Sequence, residues 1–277
     1  MQLPFHVDLS GKVAVVTGGS GVLCSPMARA LAACGARVAI LSRTLEKGRL
    51  VAESIGDNAM AVAADVLDVD SLQNASEAIH AKWGPVSILL NGAGGNHPMA
   101  TTEDEQYDAA AAQVKNFFQL DGLGIRQVFD LNYMGTLLPI LVFGQELIGQ
   151  PGASIVNISS MGAYLPLTKV MAYSGAKAAV TNLTQWLATY FAKSGVRVNA
   201  IAPGFFVSDQ NRALLFDELG NPTPRTHKIL AATPMGRFGE PEELLGALLY
   251  LVSEKAAGFV TGAVIPVDGG YTSYSGV

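Results

Sequence analysis

"VAVVTGGSGVLCSPMARALAACG", residues 13–35, decides the fold. Its first five residues are β-branched or apolar and read as a strand buried on both faces. Glycines at 18, 19 and 21 follow, and apolar residues then recur at helical spacing until Gly35 ends the run. Such a turn between strand and helix bares backbone N–H groups and aims a helix amino terminus at a pyrophosphate. Gly19, Gly21 and Cys24 fit G-x-G-x-x-G when the small Cys24 replaces the last glycine, whose role is close helix–strand packing. A plain surface turn can carry the same spacing. On the dinucleotide reading, Thr17, Gly18, Gly19, Ser20, Gly21, Val22 and Leu23 are cofactor-binding candidates.

Outward from this unit, short apolar runs alternate with stretches of helical period. Strands are expected at "VAIL" from Val38, "MAVAA" from Met60, "VSILLN" from Val86, "SIVNIS" from Ser154, "VRVNAIA" from Val196 and "AVIPV" from Ala263, besides the first at Val13. Helices are expected between them, among them "SLQNASEAIHAKWG", "YSGAKAAVTNLTQWLATYFAKSG" and "EPEELLGALLYLVSE". This alternation implies right-handed crossovers and a seven-stranded parallel sheet covered on both faces. No repeat or linker divides the chain, so 1–277 reads as a single domain. Two stretches break the rhythm: about 96–125 and 208–233 are long loops after strand ends, where ligands bind in open α/β sheets, and they read as covers of the site.

Composition agrees. Hydrophobic residues make up 49% of the 277 and charged residues 15%, with mean hydropathy +0.31, which argues for a globular core and against disorder. A net charge of −5 without basic runs repels a polyphosphate, so nucleic acid is excluded as a partner. No apolar run reaches the ~18 residues of a membrane helix. Cys24 and Cys34 read as small buried thiols in a reducing compartment, and the expected location is cytoplasmic. No metal-ligand set is assigned.

The second strand ends in Ser42 and Arg43 where an NAD site offers an acidic residue to the ribose. An Arg there suits a 2′-phosphate, so NADP is expected in preference to NAD. A solvated Arg is the plainer alternative.

The reacting groups show up as a spacing. Tyr-x-x-x-Lys alone is expected about 0.3 times by chance in this composition, and a Ser 13 residues ahead of the Tyr lowers that to about 0.02. Tyr173, Lys177 and Ser160 satisfy it. With "TGGSGVLC" at Thr17, "ADV" at Ala64, "NGAG" at Asn91, "DLNYMG" at Asp130, "ISS" at Ile158, "YSGAK" at Tyr173 and "APG" at Ala202, the chain resembles the short-chain dehydrogenase/reductase family over nearly its whole length.

The resemblance implies a Rossmann-type doubly wound fold of three layers, α/β/α, a nicotinamide cofactor, and a catalytic tetrad of Asn132, Ser160, Tyr173 and Lys177. It also implies Asp65 and Val66 beside the adenine, Asn91, Gly92, Ala93 and Gly94 supporting the central strand, and Pro203, Gly204, Phe206 and Ser208 bordering the nicotinamide. The family fingerprint T-G-x-x-x-G-x-G is altered here, with Val22 and Cys24 in its second and third glycine places. That variant, with "NHP", "LNYMGTLLP", "APGFFVSDQNRALLFDE" and "ATPMGRFGE", is similar to the subgroup of D-mannonate oxidoreductases or fructuronate reductases. A sugar acid is therefore the expected substrate, with Asn96, His97, Lys169 and Arg212 as its candidate ligands. The alternatives are a neutral polyol, a 3-oxoacyl group, or a non-catalytic dinucleotide sensor. A homotetramer is implied, assembled through the helices around Leu137 and Tyr173 and the tail "DGGYTSYSGV".

Tyrosine has an ordinary pKa of about 10, too high for proton transfer near neutrality. A lysine charge about 4 Å away is expected to lower it to about 7. Tyr173 would then exchange a proton with the substrate oxygen, Ser160 would hold that oxygen, Lys177 would also hold the nicotinamide ribose, and Asn132 would keep a water beside Lys177.

Overall fold

The computed structural model describes residues 6–111, 113–208 and 212–276. Part of the amino-terminal stretch, residues 209–211 of the second long loop and the last residue of the tail lie outside them. The chain runs β1 (Val13–Thr17), α1 (Cys24–Ala33), β2 (Arg37–Ser42), α2 (Leu45–Ile55), β3 (Ala59–Ala63), α3 (Val69–Trp83) and β4 (Ile88–Asn91). It continues through α4 (Gly122–Phe129), α5 (Gly135–Leu147), β5 (Ser154–Ile158), α6 (Met171–Phe191) and β6 (Arg197–Pro203). The last elements are α7 (Arg212–Leu215), α8 (Pro224–Ala232), α9 (Leu245–Val252), α10 (Glu254–Ala257) and β7 (Val264–Val267). All seven expected strands form.

The strands pair in the order β3-β2-β1-β4-β5-β6-β7, every pair parallel. The order reverses between β1 and β4, which opens a crevice at their carboxyl ends. Alternation along each strand builds two cores. Ala14, Val16, Val38, Ile40, Ile88 and Leu90 pack with α1 and α9 residues such as Met27, Leu31, Leu248 and Leu251. Val13, Val15, Ala39, Leu41 and Leu89 face the other way onto Leu72 and Ile79 of α3, Phe143 of α5 and Leu187 of α6. Strands buried on both faces explain the continuous apolar runs in the sequence.

Both long loops carry structure of their own. The first holds single 3₁₀ turns at Pro98–Ala100 and Phe117–Gln119 before α4 begins at Gly122. The second differs from a bare loop, because α7 and α8 form within 208–233. Thr223 caps α8 by accepting from the Thr226 N–H, and Pro224 opens the helix, a start signal hidden in a stretch that otherwise reads as turn-rich.

The place where α1 meets the sheet has a specific solution. Cys24 is buried at the start of α1, and a Cβ added to Gly92 would lie 2.0 Å from its Sγ and 3.0 Å from the Thr17 carbonyl oxygen. The absent side chain at 92 thus accommodates the sulfur that stands where a glycine was expected in the turn. Gly92→Ala is expected to destabilise the protein by about 1–3 kcal/mol through overpacking. Adding Cys24→Ala should return most of that loss in denaturant melts; equal losses with and without Cys24→Ala would refute the pairing.

Candidate active site

At the carboxyl end of β5, Ser160 is buried and caps a 3₁₀ turn, its Oγ accepting from the Gly162 N–H at 3.1 Å. The chain then enters α6, which places Tyr173 and Lys177 one turn apart on one face. Lys177 is buried, with Nζ 5.8 Å from the Tyr173 ring centre and 2.8 Å from the Ile158 carbonyl oxygen, to which it donates. Asn132 comes from a third direction. It lies in a single π turn, Asp130–Met134, between α4 and α5. Its Oδ1 accepts from the Gly95 N–H (3.2 Å), and its Nδ2 donates to the carbonyls of Gly95 (2.7 Å) and Val128 (2.8 Å). A Cβ on Gly94 would lie 2.7 Å from Asn132 Oδ1 and 3.1 Å from Lys177 Nζ, so Gly94 passes between the two side chains. The four residues of the expected tetrad are thus brought together at one end of the sheet.

The electrostatics differ from the expectation. Burial pushes the Tyr173 phenol above its ordinary 10.0, and a hydrogen bond with Ser160 pulls it only part of the way back. Burial also draws Lys177 down from 10.5 to about 8. The lowering of Tyr173 by lysine is not seen, because both groups are removed from water and Nζ is turned to the Ile158 carbonyl. Beneath them the Cys24 thiol is raised by burial to about 12 and is a neutral packing group near pH 7.

The expected cofactor positions line the crevice of the sheet. Gly18 has φ +62 and its Cα faces the Ala93 backbone, where a Cβ would come within 2.9 Å of the Ala93 nitrogen. Only glycine fits so close an approach. Gly21 N–H donates to the Gly18 carbonyl, which closes the turn, and a Cβ on Gly19 would meet Ile40 at 3.0 Å. Val22 is exposed at the rim, while Leu23 packs on the core. Ser20 and Ser42 share a hydrogen bond at 2.9 Å, tying the turn to the end of β2, and Arg43 follows exposed. Asp65 Oδ1 accepts from the Leu67 N–H, and Val66 is buried against Gly135. Tightly apposed glycines at a helix start, with hydroxyls and a cation beside them, fit a nicotinamide dinucleotide.

Several expected positions support the crevice instead of presenting a side chain to it. Thr17 Oγ1 accepts from the Gly92 and Ala93 N–H groups at 3.1 and 3.3 Å. Asn91 is buried and donates to Asn157 Oδ1, and Asn157 donates in turn to Thr184. Pro203 ends β6, and Gly204 is held against Asp268, which a Cβ would approach within 2.5 Å. The Phe206 side chain belongs to the core and packs on Gly239, so what this residue offers the crevice is its backbone. Ser208 is half-buried, and its carbonyl accepts from the Arg212 N–H.

Of the substrate candidates, Asn96 and His97 are engaged locally. Asn96 donates to Thr101 Oγ1 at 2.8 Å, and His97 Nδ1 accepts from the Met99 N–H at 3.2 Å. Arg212 lies over the Phe216 ring at 5.6 Å, and Asp217 accepts from Asn221. Lys169 stands four residues before Tyr173 with φ +72, the single described non-glycine residue with positive φ. Sequence reading missed Gly95 and Ile158, whose backbone groups orient Asn132 and Lys177. No side-chain pattern signals them, because any residue type supplies those groups.

Between pH 8 and 10.5 the folded state binds fewer protons at Lys177 than the unfolded chain, so this residue's contribution to stability rises with pH there. In melts of the cofactor-free protein, wild type should therefore gain on Lys177→Met as pH climbs from about 8 toward 10.5. Parallel pH profiles would contradict the burial of the amine.

The chain is similar to known proteins along its length. The family model described as enoyl-(acyl carrier protein) reductase, adh_short_C2, matches residues 23–272. An uncharacterized oxidoreductase of Bacillus subtilis, UxuB, is 55% identical over the full length of both chains. A galactitol 2-dehydrogenase (L-tagatose-forming) of Cereibacter sphaeroides is 34% identical, covering 95% of this chain and 96% of its own. A crystal structure described as a candidate D-mannonate oxidoreductase of Haemophilus influenzae, with bound NAD, superposes with a TM-score of 0.95 at 51% identity over 100% of both chains. The chain belongs to the short-chain dehydrogenase/reductase family and is a nicotinamide-dependent oxidoreductase acting on CH–OH groups.

Proposed function

We propose that the enzyme interconverts a keto group and a secondary alcohol on a sugar acid of the fructuronate/mannonate kind, with Tyr173 as acid and base. The observation that carries this reading is the meeting of Ser160, Tyr173 and Lys177 in the buried floor of the crevice, with Asn132 anchored beside them. Residues 17–23, Ser42, Arg43, Asp65, Val66, 91–94 and the 203–208 segment would hold the dinucleotide, which when bound supplies or removes a hydride.

In the reducing direction Tyr173 gives its phenolic proton to the carbonyl oxygen while Ser160 donates a hydrogen bond to the same oxygen. A phenol held above its ordinary pKa is fully protonated near pH 7 and ready for that role. Lys177 spends one of its three protons on Ile158 and keeps two for the nicotinamide ribose and the water chain beside Asn132. In the oxidising direction Tyr173 must first lose its proton, so alcohol oxidation is expected to rise with pH while ketone reduction falls.

Arg43 supports NADP as the preferred cofactor, and the NAD in the Haemophilus structure supports use of NAD as well. The mannonate description of that structure and the cation-bearing cover segments favour a sugar acid; the galactitol relative favours a neutral polyol as the second reading. Exposed Leu141, Trp186 and Tyr190 on α5 and α6 support burial against further copies, consistent with a homotetramer. Among the described residues no helix is long and apolar enough to cross a membrane, and we read the enzyme as cytoplasmic.

Nicotinamide absorbance followed with keto sugar acids and neutral keto sugars should show turnover on the acids, and turnover confined to neutral sugars would overturn the substrate. Tyr173→Phe should lose about 10²-fold or more in kcat with cofactor binding intact. Arg43→Ala should cut the kcat/KM ratio of NADP to NAD by about tenfold; an unchanged ratio would remove Arg43 from cofactor choice.

A further inference from the structure

Three walls rise beyond the carboxyl ends of β4, β5 and β6, and cations from two of them converge on a carboxylate of the third. Glu105 stands in the segment after β4, and Lys228 of α8, after β6, donates to its Oε2 at 2.8 Å. Arg225 lies one turn earlier on α8. Lys169 belongs to the wall after β5, and its carbonyl accepts from the Thr102 N–H at 3.0 Å, three residues before Glu105. The hydrogen bond from Lys228, followed by the fields of Lys228, Lys169 and Arg225, holds the Glu105 carboxyl below its usual range. The field of Arg225 also reaches Tyr271 in the carboxyl-terminal segment.

The fields of three cations reach the Glu105 carboxylate, and among the described residues no acid forms an ion pair with Lys169 or Arg225. Lys169 moreover holds a left-handed backbone, φ +72, that a glycine would adopt without strain. Residues in such conformations cluster where a side chain is held for a ligand. Three residues of chain separate Lys169 from Tyr173, so Lys169 borders the reacting end of the crevice.

We infer that Lys169, Arg225 and Lys228 form the receptor for the substrate's carboxylate, and that Glu105 is a resident carboxylate which the incoming acid displaces from Lys228. The inference rests on the sugar-acid reading and deepens it. Glu105 gives the cations a partner while no substrate is bound, and the carboxylate of an incoming acid takes its place, an exchange that a neutral sugar does not make.

The discriminating feature is that substitutions on the two sides of one ion pair act in opposite directions. With the holoenzyme and a keto sugar acid, Glu105→Gln should lower KM about three- to tenfold, while Arg225→Ala and Lys228→Ala should raise it about tenfold or more with kcat little changed. KM for a neutral keto sugar should stay within about twofold in all three. A purely structural clasp moves Glu105→Gln and Lys228→Ala the same way on both substrates, and that result would overturn the receptor. Calorimetric titration of the enzyme–NADP complex with D-gluconate supplies a readout free of turnover. Tighter binding to Glu105→Gln and weaker binding to Arg225→Ala, without turnover of any sugar acid, would keep the receptor and discard the proposed reaction. No binding of gluconate to wild type would discard the receptor.

Discussion

A lysine amine sealed inside the protein and held by one carbonyl oxygen organises this site. Lys177 Nζ lies 2.8 Å from the oxygen of Ile158, the last residue of β5, so this hydrogen bond, together with that from Asn157 to Thr184, ties α6 to the strand that leads to Ser160. Leaving the amine buried and unpaired would cost several kcal/mol. Even paired, it stays charged with difficulty, and its pKa falls to about 8. The same burial raises the neighbouring phenol. The cofactor-free protein therefore holds both groups in the less polar environment that hydride chemistry needs, and the charge of Lys177 acts on Tyr173 only as far as geometry and water allow.

The parallel sheet makes that arrangement possible. Strand order reverses between β1 and β4, which leaves a crevice bounded by the glycine turn on one side and the segments after β4, β5 and β6 on the other. Backbone contacts close the crevice where side chains would obstruct it: Gly18 against Ala93, and Gly94 between Asn132 and Lys177. The sulfur of Cys24 fills the space that Gly92 leaves free. A residue that departs from the family's glycine pattern is thus accommodated by packing elsewhere, and the turn keeps its path.

Charge is distributed unevenly over this scaffold. Among the described residues no carboxylate lies within ion-pair distance of the amine inside the site, whereas the cover carries Glu105 within the fields of Lys169, Arg225 and Lys228. The chain as a whole is acidic, at −5, so the basic mouth is a local feature set against the mean field. On the proposed reading, such focusing would raise the local concentration of an anionic substrate and would separate its recognition, at the exposed mouth, from proton transfer in the buried floor.

Much of the fold was legible in the chain. Each strand showed as an apolar run because strands covered on both faces have no polar alternation, and the Tyr173–Lys177 spacing showed because a helix repeats every 3.6 residues. Glycines near 18–21 announced the turn because only glycine tolerates that backbone. Other features came from packing alone. The π turn at Asn132 has no side-chain signature, and α8 was hidden among turn formers. The inward turn of Phe206 depends on Gly239, and the pairing of Lys228 with Glu105 spans 123 residues of sequence. The direction of the Tyr173 shift depends on how much water its surroundings exclude. Periodicity and backbone preference belong to neighbours along the chain, so the sequence by itself determined them. Desolvation and contacts between distant segments exist only once the chain has folded, so tertiary structure alone decided those.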